Sequence, residues 1–506
     1  MSGITHHPIV ALAAVALIIF YTAHKLNRKY TQYRIARSNN CQLPPYQPAK
    51  EPILGVDKVL EAIQQAKEHK FLENAQARFD TYGHTYYGNR LLKTIILTRD
   101  PQNIKTILSL KFKDYGLGDR IEGAGPLLGH GIFTTDGAHW AQSRAMIRPN
   151  FVRDQVADLE MFEEQMADLF ALIPADGSTV DLQELFFCYT IDSATEFLFG
   201  QSVQSLKKLR EGVRDEDGFA AAFNYAQTAV STRFRLGWLR HFYRDRRATE
   251  CERICHDFVD GFVDMAINHR AGVDEEKTVG ADDEKKRYVF LQGLAVQTGD
   301  RRRIRDELLN VLLAGRDTTA SLLSNMFFML AKHPRVWKKL REEIATLDGR
   351  PPSYEQLRNL KYLKYCMNES LRIHPVVPSN ARFATTDTIL PVGGGPDGKS
   401  PVFVPKGTVV VYSVWSMHRR EDLYGPDAHE FRPERWADIR PSWEYLPFNG
   451  GPRICVGQQY ALTEAGYVTA RLVQAFSVLE SRDPGPWEES LHLTLSSKNG
   501  TKVSLR

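Results

Sequence analysis

The chain has 506 residues, and its 65 Lys and Arg residues nearly balance its 61 Asp and Glu residues, which leaves a net charge of +4. So small a charge over this length argues against a nucleic-acid-binding protein. The hydrophobic share of 43% and the charged share of 25% are those of a globular protein and exclude a disordered or fibrous one. Six cysteines are too few for a dense disulfide framework, which indicates a reducing compartment for the folded part.

The amino terminus has the pattern of a membrane anchor. Residues 1–24 contain no Lys, Arg, Asp or Glu, and residues 9–21 are all apolar or aromatic. Basic residues follow from Lys25 to Arg37. Since positive charge stays on the cytosolic side, this order predicts an uncleaved anchor over residues 1–24 with the remainder cytosolic. The alternative is a cleaved signal peptide, for which the mature chain would begin near residue 25. A signal peptide carries its positive charges before the apolar region, whereas here they follow it.

The rest of the chain is predicted to be one domain. Residues 25–52 are predicted to be a basic and Pro-rich linker, in which the Pro-rich stretch 43–48 indicates a stiff, extended spacer. We find neither an internal repeat nor a long flexible linker in residues 53–506, so we expect one large domain there. Helical periodicity dominates, and the predicted fold class is mainly α with small β-sheets (α+β). The separate segments are a helical pattern over 60–82, strand patterns at 94–98, 383–390, 402–404 and 409–412, and a solvated polar loop over 272–287.

The strongest chemical signal is a cysteine in a glycine-rich loop. Residues 448–457 read Phe-Asn-Gly-Gly-Pro-Arg-Ile-Cys-Val-Gly, and a helical pattern follows from about residue 459 to 476. A lone cysteine before a helix is most often an inert buried thiol. Here Gly451 and Gly457 allow the backbone to fold closely around the sulfur of Cys455, and N–H groups at the helix start favour its thiolate. A thiolate in such a loop suits the axial position of a haem iron.

This loop resembles the Phe-x-x-Gly-x-Arg-x-Cys-x-Gly motif of the cytochrome P-450 family, the haem-thiolate monooxygenases, and agrees with it at every fixed position. The resemblance implies heme b (iron protoporphyrin IX) with the thiolate of Cys455 as its axial ligand. It also places Phe448 and Arg453 at the cofactor, where Arg453 offers a guanidinium fork to a carboxylate. The family fold is a single, mainly α haem domain.

A long apolar helix is predicted from about residue 304 to 331, and polar residues interrupt its centre. Gly315, Arg316, Asp317 and Thr318 lie there in succession. Gly315 and Thr318 share one face, where small residues leave room for a ligand. A kinked helix with a back-bonded threonine is the alternative. The segment resembles the family's oxygen-activating acid–alcohol pair, which assigns proton delivery to Asp317 and Thr318 and a cofactor contact to Gly315; Arg316 occupies a variable position.

A further segment suggests a buried ion network. Glu369 and Arg372 lie three residues apart on a predicted helix, where an ordinary surface ion pair is worth at most about 1 kcal/mol. Residues 431–436, which read Phe-Arg-Pro-Glu-Arg-Trp, resemble the segment that completes a three-residue network in this family. The resemblance implies that Glu369, Arg372 and Arg435 form a structural network that retains the haem.

Other basic residues are candidates for the haem propionates. Trp140 and Arg144 share one face of a predicted helix, where a simple cation–π pair between them is the alternative. The resemblance places Trp140, Arg144 and Arg382 against a propionate, together with Arg453. Cys251, Cys255 and His256 offer three zinc-ligand types, but we expect no zinc site because a fourth ligand is missing nearby.

The substrate prediction depends on the resemblance. Residues 431–467 and 314–320 look like the fungal n-alkane and fatty-acid hydroxylase branch. This implies hydroxylation at or near the end of a long aliphatic chain, with O2 and with electrons from NADPH-cytochrome P-450 reductase. The expected partners also include a lipid-like small-molecule substrate and the membrane, but no nucleic acid. Family position also suggests pocket walls at Phe133, Phe219 and Phe223, and reductase contacts at Lys338, Lys339 and Arg341.

Three alternatives remain open at this stage. The first is a cytochrome P-450 that tailors a secondary metabolite, such as a polyketide, a terpene or a lipopeptide acyl chain. The second is an enzyme that rearranges an oxygenated substrate without dioxygen, although such proteins tend to lack the acid–alcohol pair. The third is a non-catalytic haem sensor or electron carrier. The expected location is the endoplasmic reticulum membrane, single-pass, with a cytosolic catalytic domain.

Overall fold

The structure, a computed structural model, describes residues 7–51, 54–91, 93–151, 158–213, 218–275 and 289–506. Its α-helices are His7–Ser38, Val56–Lys67, Phe71–Tyr82, Pro101–Lys105, Arg120–Leu128, Gly137–Ile147, Glu160–Ala171, Leu182–Phe199, Ser205–Arg210, Phe219–Leu236, Arg246–Glu275, Phe290–Gln297, Arg301–Lys332, Pro334–Ile344, Tyr354–Asn359, Lys361–Ile373, Val414–Met417, Glu421–Tyr424 and Gln458–Ala475. Its strands are β1 (Thr85–Arg90), β2 (Lys93–Thr98), β3 (Tyr115–Gly116), β4 (Val180–Asp181), β5 (Ser379–Ala384), β6 (Thr388–Gly394), β7 (Ser400–Val404), β8 (Val409–Ser413), β9 (Leu479–Ser481), β10 (Glu489–Leu491), β11 (Leu495–Ser497) and β12 (Lys502–Leu505). The predicted class, mainly α with small sheets, is confirmed.

The helix Arg301–Lys332, called the long helix below, runs through the largest core. It begins where the carboxylate of Asp300 accepts a hydrogen bond from the backbone N–H of Arg303 at 3.1 Å. Most of its side chains from Ile304 to Ala331 are buried, because it packs against Leu182–Phe199 on one side and Gln458–Ala475 on another. A helix apolar nearly all round requires such burial, as the sequence pattern indicates.

The largest sheet has the strand order β1-β2-β8-β5-β3. Strands β2 and β8 run parallel, with Ile95 opposite Val409, and the other neighbouring strands run antiparallel. Smaller sheets pair β6 with β7, β10 with β11, and β4-β12-β9 in that order. The strand pattern predicted over 383–390 is two strands in the structure, because β5 ends at Ala384 and Thr385 turns away to donate its backbone N–H to the carbonyl of Asp114 at 2.8 Å.

The helical pattern over 60–82 is also two elements. Val56–Lys67 and Phe71–Tyr82 are separated at His69, whose φ of 57° lies in the left-handed region and stops the first helix. The helix Arg246–Glu275 extends into the segment predicted as a polar loop over 272–287; residues 276–287 lie outside the described residues.

Among the described residues, one helix is long and apolar enough to cross a membrane, Val10–Ser38, and none of its apolar window is buried in the protein. The helix does not end with the apolar stretch. Its basic part reaches the domain, where Gln32 Nε2 donates to Asp387 Oδ1 at 3.1 Å and Arg28 Nη2 donates to the carbonyl of Lys406 at 3.4 Å. The Pro-rich segment that follows is extended and lies beside β1, since the backbone N–H of Gln47 donates to the carbonyl of Tyr87 at 2.8 Å.

Candidate active site

Cys455 lies in a tightly folded loop. The backbone N–H of Cys455 donates to the carbonyl of Phe448 at 3.0 Å, and the side chain of Phe448 packs against the main core. Gly451 has a φ of 67°, and a Cβ at this position would lie 1.9 Å from the carbonyl oxygen of Leu108. Only glycine therefore allows the loop to press against the backbone of Leu108.

Cys455 is accessible to solvent and lies on the wall of a pocket that is partly open. The pocket has a volume of about 410 Å³ and is lined by Arg144, Arg148, Phe151, Ile454, Cys455 and Val456. Burial raises the pKa of the Cys455 thiol, whereas the N–H of Gly457 and the charge of Arg144 act to lower it. A metal cation at the sulfur favours the thiolate strongly.

Arginines from four parts of the chain converge beside this loop. Arg453 Nη2 donates to Asp136 Oδ1 at 2.6 Å and to the carbonyl of Thr135 at 2.9 Å, and its guanidinium lies 4.3 Å from the centroid of the Trp140 ring. Arg144 does not pair with Trp140; its Nη1 donates to the carbonyl of Ile454 at 2.9 Å. The aromatic ring thus supports the arginine of the cysteine loop.

Arg120 is a member of this cluster that the sequence did not reveal. Arg120 Nη2 and Arg382 Nη1 both donate to Asn380 Oδ1, at 2.8 and 3.1 Å. Burial lowers the pKa of Arg120 to about 10, and the charges of Arg382 and Arg453 add to the shift. Burial likewise lowers the pKa of Arg453 to about 10, although Asp136 opposes the change. The cluster therefore holds more positive than negative charge.

The centre of the long helix presents its small residues to a water-accessible space. Residues 313–315 and 318 are partly accessible, while their neighbours in the helix are buried. Thr318 Oγ1 donates to the carbonyl of Ala314 at 2.6 Å. A Cβ at Gly315 would meet nothing nearer than the Cβ of Ala194 at 3.8 Å, so protein packing alone does not require glycine there.

Asp317 is buried beside an arginine. Arg316 Nη1 donates to Asp317 Oδ1 at 2.8 Å, and both side chains are buried. Burial raises the pKa of the Asp317 carboxyl, whereas the charge of Arg316 and a hydrogen bond from Gln227 act to lower it. The carboxyl of Asp317 is therefore subject to two opposing influences, burial and an adjacent cation.

The structure brings Glu369, Arg372 and Arg435 together in the core. Glu369 Oε1 accepts from Arg372 Nη2 at 2.9 Å and from Arg435 Nε at 2.8 Å, and Oε2 accepts from Arg372 Nε at 2.9 Å. Trp436 Nε1, which the sequence reading missed, donates to Glu369 Oε2 at 3.0 Å. Arg372 also donates to the carbonyls of His418 and Ala428, so the network joins a helix to two loops.

Several expected contacts are different in the structure. Phe219 and Phe223, the predicted pocket walls, are buried, and Phe219 stacks on Phe258 with ring centroids 4.0 Å apart. Phe133 is 38% exposed and remains available. Lys339 is engaged with Glu434, at 2.5 Å from its Oε1. In the described part of the chain, no three His, Cys, Asp or Glu side chains form a group that could hold a metal ion.

The donor set fits the haem that the sequence motif implies. A single sulfur on a pocket wall suits one axial iron ligand, and an excess of guanidinium charge suits two propionates. The close approach at Gly451 shapes the loop that presents the sulfur. In the long helix, Ala314, Gly315 and Thr318 form a partly accessible patch of small residues.

Comparisons with known proteins agree with this geometry. The family model for cytochrome P450 matches residues 52–503. The cytochrome P450 monooxygenase himC of Aspergillus japonicus is 51% identical over 98% of this chain and 90% of its own length. The cytochrome P450 monooxygenase fsdH of Fusarium heterosporum is 46% identical over 100% of this chain and 90% of its own length. Cytochrome P450 52A13 of Debaryomyces hansenii is 44% identical over 97% of this chain and 96% of its own length. The chain therefore belongs to the cytochrome P450 family of monooxygenases, oxidoreductases that bind haem through a cysteine thiolate.

Proposed function

We propose that this monooxygenase hydroxylates a long aliphatic chain, an n-alkane or a fatty acid, at or near its terminal carbon. The observation that carries the chemistry is the position of Cys455, in its glycine-rich loop, on the wall of the pocket. The substrate class rests on the resemblance of residues 431–467 and 314–320 to the fungal alkane and fatty-acid hydroxylase branch, and the 44% identity to cytochrome P450 52A13 supports the family assignment.

Each part of the site has a role in this proposal. Cys455 would hold the iron of heme b, and Arg144, Arg382 and Arg453 would hold its propionates, with Arg120 and Trp140 supporting them. The bound haem supplies oxygen activation, which thiolate donation favours. Glu369, Arg372 and Arg435 would stabilise the part of the fold that retains the haem.

In this proposal Thr318, on the accessible face of the long helix, and Asp317, buried next to it in the chain, control the supply of protons. The Thr318 hydroxyl, which rests on the carbonyl of Ala314, turns away from it when it donates to a bound group instead. The Asp317 carboxyl lies one residue away and exchanges protons with the buried polar groups around it. Together they deliver protons while the apolar surroundings exclude bulk water.

The proposed setting is the cytosolic face of the endoplasmic reticulum membrane. The N-terminal helix is long and apolar enough to hold the protein there, close to a lipid-like substrate. Since the family requires an external electron source, NADPH-cytochrome P-450 reductase is the proposed partner. The membrane would then hold both the water-insoluble substrate and the reductase close to the enzyme.

The test is reconstitution of the full chain with the reductase and NADPH, followed by product analysis. We expect terminal or near-terminal alcohols from a panel of n-alkanes and fatty acids, and no products from terpenes, polyketides or acyl lipopeptides. Hydroxylation confined to the second group of compounds would instead support tailoring of a secondary metabolite. NADPH consumption that no compound stimulates would support a sensor or electron carrier.

The ligand assignment has its own test. Cys455→Ala should abolish hydroxylation and the red-shifted Soret peak of the reduced carbon-monoxide adduct, because the thiolate is lost. Cys41→Ala is the matched control, since Cys41 lies in the N-terminal segment, outside the pocket. A normal carbon-monoxide spectrum from Cys455→Ala would overturn the assignment.

A further inference from the structure

Arg316 is an unusual residue for the centre of a buried helix. It is 5% exposed, and a guanidinium loses its hydration there unless protein groups replace the water. Its Nε is buried without a hydrogen-bond partner among the described residues. A methionine or leucine would fill the same space without this cost, so the charge itself needs an explanation.

Neighbouring residues on a helix do not normally face each other, because successive side chains project about 100° apart. Arg316 nevertheless donates through Nη1 to Oδ1 of the next residue, Asp317, at 2.8 Å. The side chain must fold back along the helix to do so. Something outside the helix has to hold it in that conformation.

Two other helices supply the support. Arg316 Nη1 also donates to Asn224 Oδ1, from the helix Phe219–Leu236. The guanidinium lies 5.2 Å from the ring centroid of Phe187, from the helix Leu182–Phe199. Asn224 holds the guanidinium by a hydrogen bond and Phe187 holds it by a cation–π contact. Together they fix the conformation of a long, flexible side chain.

The groups that face this pair come from three neighbouring parts of the chain. Gln227 of Phe219–Leu236 and His492, between β10 and β11, face Asp317. Cys188 of Leu182–Phe199 faces Arg316, with Asp192 and Glu184 farther along the same helix. Arg316 is the only one of these groups that combines a permanent charge with a direct ion pair to Asp317.

We propose that Arg316 is a positioning residue for Asp317: braced by Asn224 and Phe187, it fixes one carboxyl oxygen of Asp317 and holds that carboxyl ionised between proton transfers. The inference rests on the proposed role of Asp317 in proton delivery. It assigns to Arg316 control over when Asp317 carries its proton, without contact between Arg316 and the reacting atoms.

The test compares Arg316→Met with Arg316→Lys in the full-length, haem-loaded enzyme. Removing the cation should move the Asp317 limb of the pH profile of product formed per NADPH to higher pH, because an unpaired carboxyl keeps its proton longer. Product per NADPH near neutral pH should fall about tenfold in Arg316→Met. Arg316→Lys, which keeps the charge, should recover most of the loss and the original pH profile.

A spectroscopic readout separates this inference from the proposed activity. Infrared difference titration of the Asp317 carboxyl band, identified with Asp317→Asn, should show its midpoint at higher pH in Arg316→Met even when no substrate turns over. Asn224→Leu, which removes the brace and keeps Arg316, should shift the midpoint in the same direction by less. An unchanged midpoint in Arg316→Met would overturn the inference and leave the proposed function standing.

The control is Arg305→Met, which removes a partly buried ion pair from the same helix, that with Asp260 at 3.0 Å. It should leave the pH profile and the Asp317 titration unchanged. An equal shift in Arg305→Met, or a failure of Arg316→Lys to recover the profile, would show that Arg316 only stabilises the helix.

Discussion

The hydroxyl of Thr318 is held by the carbonyl of Ala314 at 2.6 Å and lies on the accessible face of the long helix. Thr318→Ala should lower product formed per NADPH about tenfold and raise the release of hydrogen peroxide, because proton delivery loses its last donor. Oxygen-electrode and peroxide assays with NADPH consumption measure the ratio. Thr318→Ser keeps the hydroxyl and should stay near the wild-type ratio; equal loss in both variants would point to packing instead.

Glu464 lies on the helix Gln458–Ala475 and is buried in the protein core. Its carboxyl makes the stability of the protein depend on pH. Burial raises the pKa of its carboxyl to about 8, although the Ser193 hydroxyl donates to Oε1. Oε2 has no hydrogen-bond partner among the described residues. The folded chain therefore keeps this proton at pH values where the unfolded chain has already lost it, and stability falls as the pH rises from the unfolded pKa toward about 8.

We expect Glu464→Gln, which stays neutral, to flatten that decline. Between about pH 5 and pH 7, this group should cost the wild-type protein up to about 1.4 kcal/mol per pH unit. The measurement is the thermal unfolding midpoint of both proteins across this range. Parallel pH curves for the two proteins would contradict a protonated Glu464.

The sequence identifies residues whose signal is local. Cys455 and its glycines stand in one short motif, and Asp317 with Thr318 in another, so both groups were predicted as candidates before any geometry. Arg120 does not lie in such a motif. Its place in the arginine cluster beside the Cys455 loop depends on Asn380, which is 260 residues away in the chain. The contact of Trp140 with Arg453 is equally a product of folding, and for that reason the helical spacing suggested Arg144 as the partner instead.

The network of Glu369 holds the helix Lys361–Ile373 to the turn that contains Arg435. Glu369→Gln should lower the free energy of unfolding by about 3–5 kcal/mol, because it leaves Arg372 and Arg435 buried without their shared counter-charge. Denaturant unfolding in detergent, followed by tryptophan fluorescence, measures the change, and haem absorbance measures retention.

The matched control is Glu488→Gln, since Glu488 pairs with Lys498 on the surface at 2.8 Å. That exposed pair should contribute little, and the unfolding midpoint should hardly change. Similar losses in the two variants would mean that the Glu369 network is no more important than a surface pair.

Helices and strands differ in how well the sequence predicted them. The long helix was predicted because its apolar residues repeat over many turns, but its start at Arg301 depends on capping by Asp300 before three arginines. The pattern over 383–390 looked like one strand, since β-branched residues continue through it. The break at Thr385 is set by a hydrogen bond to Asp114, which no local pattern contains.

The apolar N-terminal segment should control where the entire protein resides. Deleting residues 2–24 should move the protein from the carbonate-washed membrane fraction to the supernatant, because the apolar stretch is the part suited to lipid. Fractionation with an antibody to the carboxyl terminus measures this. Continued membrane association would indicate a second attachment, and a mature wild-type chain that begins near residue 25 would indicate a cleaved signal peptide.

The helix that begins in the apolar segment runs without a break to Ser38, and Gln32 and Arg28 join its basic part to the domain. A continuous, stiff helix therefore connects the membrane segment to the domain. Each residue inserted between Tyr21 and Lys25 would rotate the domain about the helix axis by about 100° and move it by about 1.5 Å along that axis. The rate of electron transfer from the reductase should then vary with insertion length with a period of about 3.6 residues, whereas a flexible linker would give a smooth dependence.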